Sequence, residues 1–432
     1  MGSEGSKRGS AVDGEMSGLK RVLMVAFHYP PWSGGSGIHR SLKFTRYLPE
    51  CGWQPIVLTA SLNAYPSNGT NGCEIPPGVI VSRAFALDSA RHLAVRGAYP
   101  SWIALPDRWI SWWPSAVAVG LRLIRKFQPK VIWSTYPIAT AHLIGLSLHR
   151  LTQTPWVADF RDPMTEVDPK TGQQFPLDPS VRRANGWIEA PTVRACTRAV
   201  FTTPGTQSMY ETHFPDVPGD RWTVIPNGYD EEDFAEAERA MKPRPPGGAT
   251  VLVHSGVLYP EARDPRPFFE ALADLKRSGQ ISTGNLKVIL RASGFDDRYR
   301  PQIRELGIDG IVSFEPALSY SEALAEMLSA DGLLIFQASN CNWQIPAKLY
   351  ECLRARRPIF ALTDPDGDTG TVLKAEGGTI ARLDSKAEIA DGLMKFLSML
   401  RAGKNSVRSN VEIYSRRSRT HALAEVLNSV SQ

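Results

Sequence analysis

Residues 19–37, LKRVLMVAFHYPPWSGGSG, begin with an apolar run and end in a loop rich in proline and glycine. The run Leu19–Phe27 is short and contains β-branched residues, which predicts a strand buried on both faces. Apolar residues then recur at helical spacing over Ile38–Cys51, and Gln54–Thr59 is a second apolar run. Strand, glycine-rich turn, helix and strand form a βαβ unit, which indicates a parallel sheet.

The same alternation recurs along the chain and predicts further strands. They are Lys130–Ser134, Pro155–Asp159, Ala199–Thr203, Trp222–Ile225, Val251–Ser255, Leu286–Arg291, Ile311–Phe314, Gly332–Phe336, Pro358–Leu362 and Thr379–Ala381. Helical patterns fill most of the gaps between them. The predicted fold class is α/β, with two Rossmann-like parallel-sheet domains in tandem.

Composition shifts divide the chain into five predicted parts. Residues 1–18 are polar and glycine-rich and predict a disordered tail, and residues 19–229 form the N-terminal domain. Residues 230–250 are acidic and then rich in proline and glycine, which predicts a linker. Residues 251–407 form the C-terminal domain. Residues 408–432 are amphipathic with no strand after them, so we expect a helix that returns to the N-terminal domain.

Composition places the protein among ordinary globular proteins. Of 432 residues, 42% are hydrophobic and 22% charged, and the net charge of +5 fits a phosphorylated ligand or an anionic membrane surface. No apolar stretch reaches the ~20 residues of a membrane span. The five cysteines form no C-x-x-C pair, which predicts a reduced, cytoplasmic protein without a zinc site or disulfide framework.

The loop after the first predicted strand is the first candidate site. Glycine lets the backbone approach a ligand closely, and the next helix offers free N–H groups. The candidate residues are Gly34, Gly35, Ser36 and Gly37. The third glycine of the dinucleotide fingerprint is missing, and the alternative is a plain strand–helix turn.

A second candidate lies at Gln344–Glu351, where Pro346 suits the first position of a helix. Lys348 then lies in the first turn, and Glu351 follows three residues later on the same face. A cation beside free amides suits a diphosphate, and a carboxylate one turn deeper suits the hydroxyls of a ribose. The alternative is a surface ion pair.

Two further candidates follow predicted strands. Asp159, Arg161 and Asp162 come directly after an apolar strand, where three charges are costly unless they are used or paired. The alternative is a salt-bridged turn. In the second domain, polar and aromatic residues at strand ends are candidates for holding a phosphorylated ligand. They are His254, Ser255, Gly256, Arg263, Arg291 and Phe314.

Other patterns support fewer conclusions. The acidic turn Asp364–Asp368 lacks the spacing of a calcium loop, so no metal site is predicted. Basic residues are dispersed, so no nucleic-acid module is predicted. Four tryptophans lie close in sequence and predict either a membrane interface or half-buried packing. They are Trp102, Trp109, Trp112 and Trp113.

Three segments together resemble GT-B-fold glycosyltransferases of the family 4 type, more narrowly the bacterial branch that acts in surface polysaccharide assembly. They are residues 21–59, 155–163 and 345–362, and the similarity runs from about residue 20 to about residue 400. The resemblance implies two domains that face each other across a cleft. The N-terminal domain would take the acceptor and the C-terminal domain a nucleotide-diphosphate sugar.

The resemblance also implies a retaining mechanism that needs no metal and no cofactor, with the nucleotide sugar as co-substrate. Arg263, Lys348 and the loop Gly34–Gly37 would stabilise the departing diphosphate. The acceptor would be a glycan or a lipid-linked saccharide, with peripheral contact to the inner membrane surface and no nucleic acid.

The family's Glu-x7-Glu pattern maps in part onto this sequence. Its second glutamate, which holds the ribose hydroxyls, corresponds to Glu351, whereas Trp343 stands at the position of the first. Asp159, Arg161 and Asp162 occupy the place where many relatives have a histidine. His142, one helix earlier, is a loose substitute for that histidine.

Two alternatives remain at this stage. One is a nucleotide-sugar epimerase of the GT-B fold, which needs no acceptor. The other is a non-catalytic protein that binds nucleotide sugars, which Trp343 in place of the first glutamate allows.

Overall fold

The structure is a computed structural model that describes residues 18–32, 37–65, 74–168, 171–241, 247–403 and 411–432. Candidates Gly34, Gly35 and Ser36 lie outside the described residues. The chain divides into two compact units. The first comprises residues 1–227 and 416–432, and the second comprises residues 228–415.

The first unit is built on a parallel sheet, which in the described residues has the order β3-β2-β1-β4-β5-β8-β9. Its strands are Lys20–Val25 (β1), Trp53–Ala60 (β2), Ile80–Ala84 (β3), Val131–Thr135 (β4), Trp156–Phe160 (β5), Arg198–Phe201 (β8) and Trp222–Val224 (β9). A short antiparallel hairpin consists of Glu166–Val167 (β6) and Gln174–Phe175 (β7). The order reverses between β1 and β4, which leaves a crevice beyond their carboxyl ends.

Helices cover both faces of this sheet, because a parallel sheet buries both faces. They are Gly37–Tyr47 (α1), Ser89–His92 (α2), Trp112–Phe127 (α3), Ala139–Thr152 (α4), Pro179–Ala195 (α5) and Pro204–His213 (α6). Each strand therefore sends alternate side chains into two cores. In β1, Leu23 packs into one apolar cluster and Val22 into the other, and both are fully buried.

The second unit repeats the plan with the order β12-β11-β10-β13-β14-β15, all parallel among the described residues. Its strands are Thr250–Ser255 (β10), Leu286–Arg291 (β11), Val312–Glu315 (β12), Gly332–Phe336 (β13), Ile359–Leu362 (β14) and Thr379–Ala381 (β15). Its helices are Glu231–Ala240 (α7), Arg266–Arg277 (α8), Asp296–Glu305 (α9), Tyr320–Ser329 (α10), Ala347–Arg354 (α11), Asp368–Glu376 (α12) and Lys386–Arg401 (α13). The predicted fold class, two parallel α/β sheets, is confirmed.

The last helix, Arg416–Val430 (α14), belongs to the first unit and packs on α1. Leu423 and Leu427 of α14 join the same apolar cluster as Ile38 and Leu42 of α1. Arg417 extends the contact with an ion pair to Glu50 at 3.1 Å. The C-terminal helix thus covers one face of the first sheet.

The structure differs from the sequence prediction in the expected linker and between residues 80 and 127. Residues 231–240 of the predicted linker are helix α7, whose Phe234 is fully buried in the second unit. Arg354 of α11 stacks over the Phe234 ring and pairs with Glu238 at 3.0 Å, so this acidic segment is packed against its own unit. Strand β3 and helix α3 were not predicted at all.

Among the described residues, no helix combines the length and apolarity that crossing a bilayer requires.

Candidate functional site

The strand order of the second unit reverses between β10 and β13. In open parallel sheets, ligands bind in the crevice at the carboxyl ends of the strands at such a point. These two strands are hydrogen-bonded neighbours, with Leu252 opposite Gly332. The loop after β10 carries Gly256 and Arg263, and the segment after β13 leads into α11, which carries Lys348 and Glu351. The fold therefore brings four predicted residues to adjoining strand ends, although Gly256 and Glu351 are 95 positions apart in the sequence.

Lys348 and Glu351 form an ion pair at the start of α11. The Lys348 ammonium lies 2.8 Å from Oε2 of Glu351, and the Tyr320 hydroxyl donates to Oε1 at 2.9 Å. Glu351 is buried, whereas about a third of the Lys348 side chain is exposed. Burial alone would lower the pKa of Lys348, but the Glu351 carboxylate outweighs it and raises that pKa. Lys348 is therefore a cation at neutral pH.

Arg263 lies in the loop between β10 and α8. Its Nη1 donates to the Val257 carbonyl at 3.2 Å, and its guanidinium lies 5.7 Å from the centre of the Tyr259 ring. Burial lowers the pKa of Arg263. Within the described residues, no carboxylate forms an ion pair with Arg263, so a half-buried positive charge is available to an anion.

Gly256 permits the turn that follows β10. Its φ of 141° lies in the region that favours glycine, and its N–H donates to the Arg291 carbonyl at 2.9 Å. The preceding Ser255 ends the strand opposite Arg291. A side chain at position 256 would strain the backbone exactly where the loop turns away from the sheet, so the glycine shapes this loop.

His254, predicted together with Ser255 and Gly256, is a buried polar residue at the same strand end. Its Nδ1–H donates to the Leu334 carbonyl at 2.9 Å, and in the described structure its Nε2 has no hydrogen-bond partner. Burial, followed by the charges of Arg263 and Lys348, lowers the pKa of His254 to about 4. The available signal was a histidine within an otherwise apolar strand.

The backbone of Arg291 adjoins Ser255 and Gly256, but the side chains of Arg291 and Phe314 make other contacts. The Arg291 guanidinium donates to Glu326 through Nε at 2.9 Å and through Nη2 at 2.5 Å. Phe314 is 6% exposed and packs in the apolar core against Phe269. Their strands, β11 and β12, are one and two places removed from β10. Both side chains therefore have partners within the second unit, and their role in donor binding stays a prediction.

In the first unit, Asp159 is completely buried and fully partnered. Its carboxylate accepts from Nε of Arg40 at 3.0 Å and from Nη2 at 2.7 Å, and the Thr135 hydroxyl donates at 2.8 Å. Arg40 is 2% exposed and also donates to the Pro226 carbonyl at 3.1 Å. The Arg40–Asp159 pair therefore links α1 to β5, and Thr135 adds a link to β4. The hydrogen bond to Pro226 links α1 to the segment that follows β9. In this structure Asp159 therefore has a structural role, and its catalytic role stays a prediction.

Arg161 and Asp162 occupy the carboxyl edge of β5. Arg161 donates to the Gly37 carbonyl at 2.5 Å, which brings it to the first residue of α1, and Asp162 is exposed. His28, three residues after the end of β1, lies beside Arg161 and Gly37. A Cβ on Gly37 would come within 2.9 Å of Nδ1 of His28, so a side chain at position 37 would displace the His28 ring. Burial, followed by the charge of Arg161, lowers the pKa of His28 to about 4.

His28 was not predicted as a site residue, although this histidine directly follows the first predicted strand, where ligand-binding residues are expected. His142, the predicted substitute for a catalytic histidine, lies in the interior and is fully buried. Its Nδ1 hydrogen-bonds the Ser134 hydroxyl at 2.8 Å, and Phe160 covers its ring at 4.7 Å. This interior position does not suit a group that must reach a substrate.

Among the described residues, no group of three or more His, Cys, Asp or Glu side chains is arranged to hold a metal ion.

We expect Asp159→Ala to lower the free energy of unfolding by about 3–5 kcal/mol, because Arg40 would keep a buried, unpaired charge. Urea unfolding of the full chain measures this loss. Asp162→Ala, three positions along and exposed, is the matched control and should change stability by less than about 0.5 kcal/mol. Unchanged stability together with lost activity in Asp159→Ala would instead support the catalytic assignment.

We also expect a pH dependence from His142. Burial lowers its pKa from 6.5 to about 3, so the unfolded chain takes up a proton near pH 6.5 that the folded chain does not. Its contribution to stability is complete above pH 6.5 and is lost as the pH falls towards 3. In His142→Gln, the decline of unfolding free energy below pH 6 should be shallower by about 1.4 kcal/mol per pH unit.

Denaturant titrations between pH 4 and pH 7 test this difference in slope. His213→Gln changes an exposed histidine and should leave the slope as in the unmodified chain. Equal slopes in all three proteins would contradict the prediction.

Comparison with known proteins agrees with this geometry. Residues 36–228 match the family described as the glycosyl transferase 4-like domain. No curated protein sequence matches the chain. Solved structures do match over nearly the whole length, at sequence identities that support a shared fold.

One is sucrose-phosphate synthase from Thermosynechococcus elongatus, with 14% identity, 95% of this chain and 96% of that chain covered, and a TM-score of 0.61. Another is α,α-trehalose 6-phosphate synthase from Burkholderia multivorans, with 11% identity, coverage of 95% and 97%, and a TM-score of 0.65. A third is WaaG, described as a glycosyltransferase involved in lipopolysaccharide biosynthesis, with 14% identity, coverage of 95% and 97%, and a TM-score of 0.56. All three share the fold of this chain.

Proposed function

We propose that the chain is a glycosyltransferase with the GT-B fold, since residues 36–228 match the glycosyl transferase 4-like domain and the solved structures share its fold. In this proposal it transfers a sugar, with retention of configuration, from a nucleotide-diphosphate donor to a glycan or lipid-linked acceptor. The observation that carries the proposal is the cation pair at the crevice of the second unit. Arg263 has no carboxylate partner among the described residues, and Lys348 lies beside a buried Glu351.

The second unit would hold the donor. Arg263 and Lys348 supply positive charge for the diphosphate, and the first N–H groups of α11 supply hydrogen-bond donors at a helix end that favours anions. Glu351, held through one oxygen by Tyr320, would accept hydrogen bonds from the ribose hydroxyls. The existing Lys348–Glu351 contact keeps both groups in position before a ligand arrives.

Catalysis would rest on stabilising the departing nucleoside diphosphate. As the bond between the sugar and the phosphate oxygen breaks, negative charge grows on that oxygen, next to Arg263 and Lys348. The acceptor hydroxyl attacks the same face of the sugar, and its proton passes to the departing phosphate oxygen. This route requires no carboxylate base, which fits the burial of Asp159 in its pair with Arg40.

The acceptor would bind to the first unit, where Gly37, His28 and Arg161 lie together at the carboxyl ends of β1 and β5. We place the reaction in cell-surface polysaccharide assembly, because WaaG is described as acting in lipopolysaccharide biosynthesis and shares the fold. The protein would work in the cytoplasm, in peripheral contact with the inner membrane that carries a lipid-linked acceptor.

One observation favours a second candidate function. Trp343 stands where the family has its first glutamate, which usually lies near the donor sugar. A non-catalytic nucleotide-sugar-binding protein would show donor binding without turnover, and an epimerase would convert the donor without an acceptor. A donor-turnover assay with and without a lipid acceptor separates these outcomes from transfer.

We expect Lys348→Ala and Glu351→Ala each to weaken nucleotide binding by about 1.5–3 kcal/mol, since each removes a charged hydrogen bond to the ligand. Isothermal calorimetry across UDP, GDP, ADP and TDP measures this change and identifies the base. Lys395→Ala breaks an exposed ion pair with Asp391 on α13 and is the matched control. Equal affinity in all variants would remove the second unit's crevice as the donor site.

We further expect transfer to continue in the presence of EDTA. Arg263 and Lys348 provide the positive charge that a divalent cation supplies to the leaving diphosphate in other enzymes. The comparison is turnover before and after chelation, with magnesium or manganese added back. Activity that disappears in EDTA and returns with the metal would show that these two side chains do not suffice.

A further inference from the structure

The loop between β3 and α3 presents unusually exposed apolar side chains. Leu93 is 42% exposed, Val95 76% and Trp102 72%. They lie within residues 89–104, which we name the β3–α3 loop. Single exposed apolar residues are common, but a group of them in one loop indicates an interaction surface.

The β3–α3 loop is a built structure that holds these side chains outward. Asp88 precedes it and accepts from the Ala90 N–H at 3.0 Å, and its carboxylate also pairs with Arg108. The Ser89 N–H donates to the Arg108 carbonyl at 2.9 Å. The residues at the start of the loop are thus joined to Arg108, which lies just beyond its end.

The tip of the loop is closed by its own hydrogen bonds. The Val95 N–H donates to the Ala98 carbonyl at 2.8 Å, and the Ala98 N–H donates back at 3.1 Å. Arg96 and Gly97 form the turn between them, both with positive φ. Near the two ends of the loop, the Ser89 hydroxyl donates to the Ile103 carbonyl at 2.9 Å, next to Trp102. Val95 and Trp102 are therefore displayed by fixed backbone.

The charge of the loop has one sign. Residues 89–104, SARHLAVRGAYPSWIA, contain Arg91, His92 and Arg96 and no aspartate or glutamate. All three basic side chains are exposed. Tryptophan and arginine next to small apolar side chains suit the boundary between lipid headgroups and acyl chains, where the ring is half wet and the cations meet phosphates.

The size of the surface argues against a protein partner. Large side chains bury about 150–250 Å² each, so three of them provide less than the ~800 Å² per partner of a standard protein interface. The other tryptophans of this region do not add to it. Trp112 is fully buried, and Trp109 packs on Phe27 at 4.5 Å, so the four-tryptophan interface considered from the sequence is wrong for these two.

We infer that the β3–α3 loop docks the protein on an anionic lipid bilayer, with Trp102, Val95 and Leu93 entering the interface and Arg91 and Arg96 contacting lipid phosphates. This inference deepens the proposed function, from which it takes the membrane-borne acceptor. The docking itself requires neither donor nor catalysis.

Co-sedimentation of the full chain with vesicles tests the inference. The unmodified protein should bind vesicles of phosphatidylglycerol and phosphatidylcholine and should bind pure phosphatidylcholine more weakly. The double variant Val95→Ser with Trp102→Ser should lose about tenfold in vesicle affinity, because two apolar groups no longer leave water. Trp187→Ser is the matched control, since Trp187 is 69% exposed on α5 of the same unit, and it should bind as the unmodified protein does.

A second variant pair tests the charges. Arg91→Gln with Arg96→Gln should remove most of the preference for anionic vesicles and most of its dependence on salt. Nucleotide affinity measured by calorimetry should be unchanged in every loop variant, which shows that the variants are folded.

The inference is overturned if the unmodified chain binds neither type of vesicle, or if the Val95 and Trp102 double variant binds as well as the Trp187 control does. It is also overturned if the exposed loop instead assembles two copies of the chain, seen as a dimer that the double variant abolishes. Vesicle binding without any donor turnover would contradict the proposed function and leave the docking surface standing, whereas turnover without vesicle binding would do the reverse.

Discussion

A parallel sheet buries both of its faces, and this constraint determines where polar side chains can gather in this protein. Strands such as β1 send Leu23 and Val22 into separate apolar cores, so nothing charged fits along their length without a partner. The carboxyl edge is different, because the chain leaves the sheet there through loops that face water. His28 and Arg161 in one unit, and Arg263 and Lys348 in the other, all lie at such edges.

Two buried ion pairs illustrate how the same chemistry serves different purposes. Arg40 and Asp159 satisfy each other completely, and a threonine hydroxyl takes a remaining lone pair, so the pair has no capacity for a ligand. Lys348 and Glu351 are related by one helical turn, and about a third of the lysine reaches solvent. A pair that keeps one member at the surface can exchange partners when an anion arrives, whereas a sealed pair cannot.

Local patterns predicted the two sheets well, because buried parallel strands are continuous apolar runs and the helices between them have their own period. They missed β3, whose sequence IVSRA is mixed because this edge strand is only half-buried. They predicted Glu231–Ala240 as part of a linker because the segment is mostly acidic. Its one large apolar residue, Phe234, is buried and packs the helix against the second unit. They did not reveal the ion pair between Asp159 and Arg40, because the two residues are 119 positions apart, a distance that no motif spans. Lys348 and Glu351 were found because their partnership lies within one turn.

The C-terminal helix has a consequence for synthesis on the ribosome. The apolar face of α1, which includes Ile38 and Leu42, is covered by Leu423 and Leu427, almost 400 residues later. The first sheet can assemble once β9 has emerged from the ribosome, but this face stays uncovered until residues 416–430 have left the exit tunnel. Throughout translation of the second unit, the nascent chain therefore carries an exposed apolar surface.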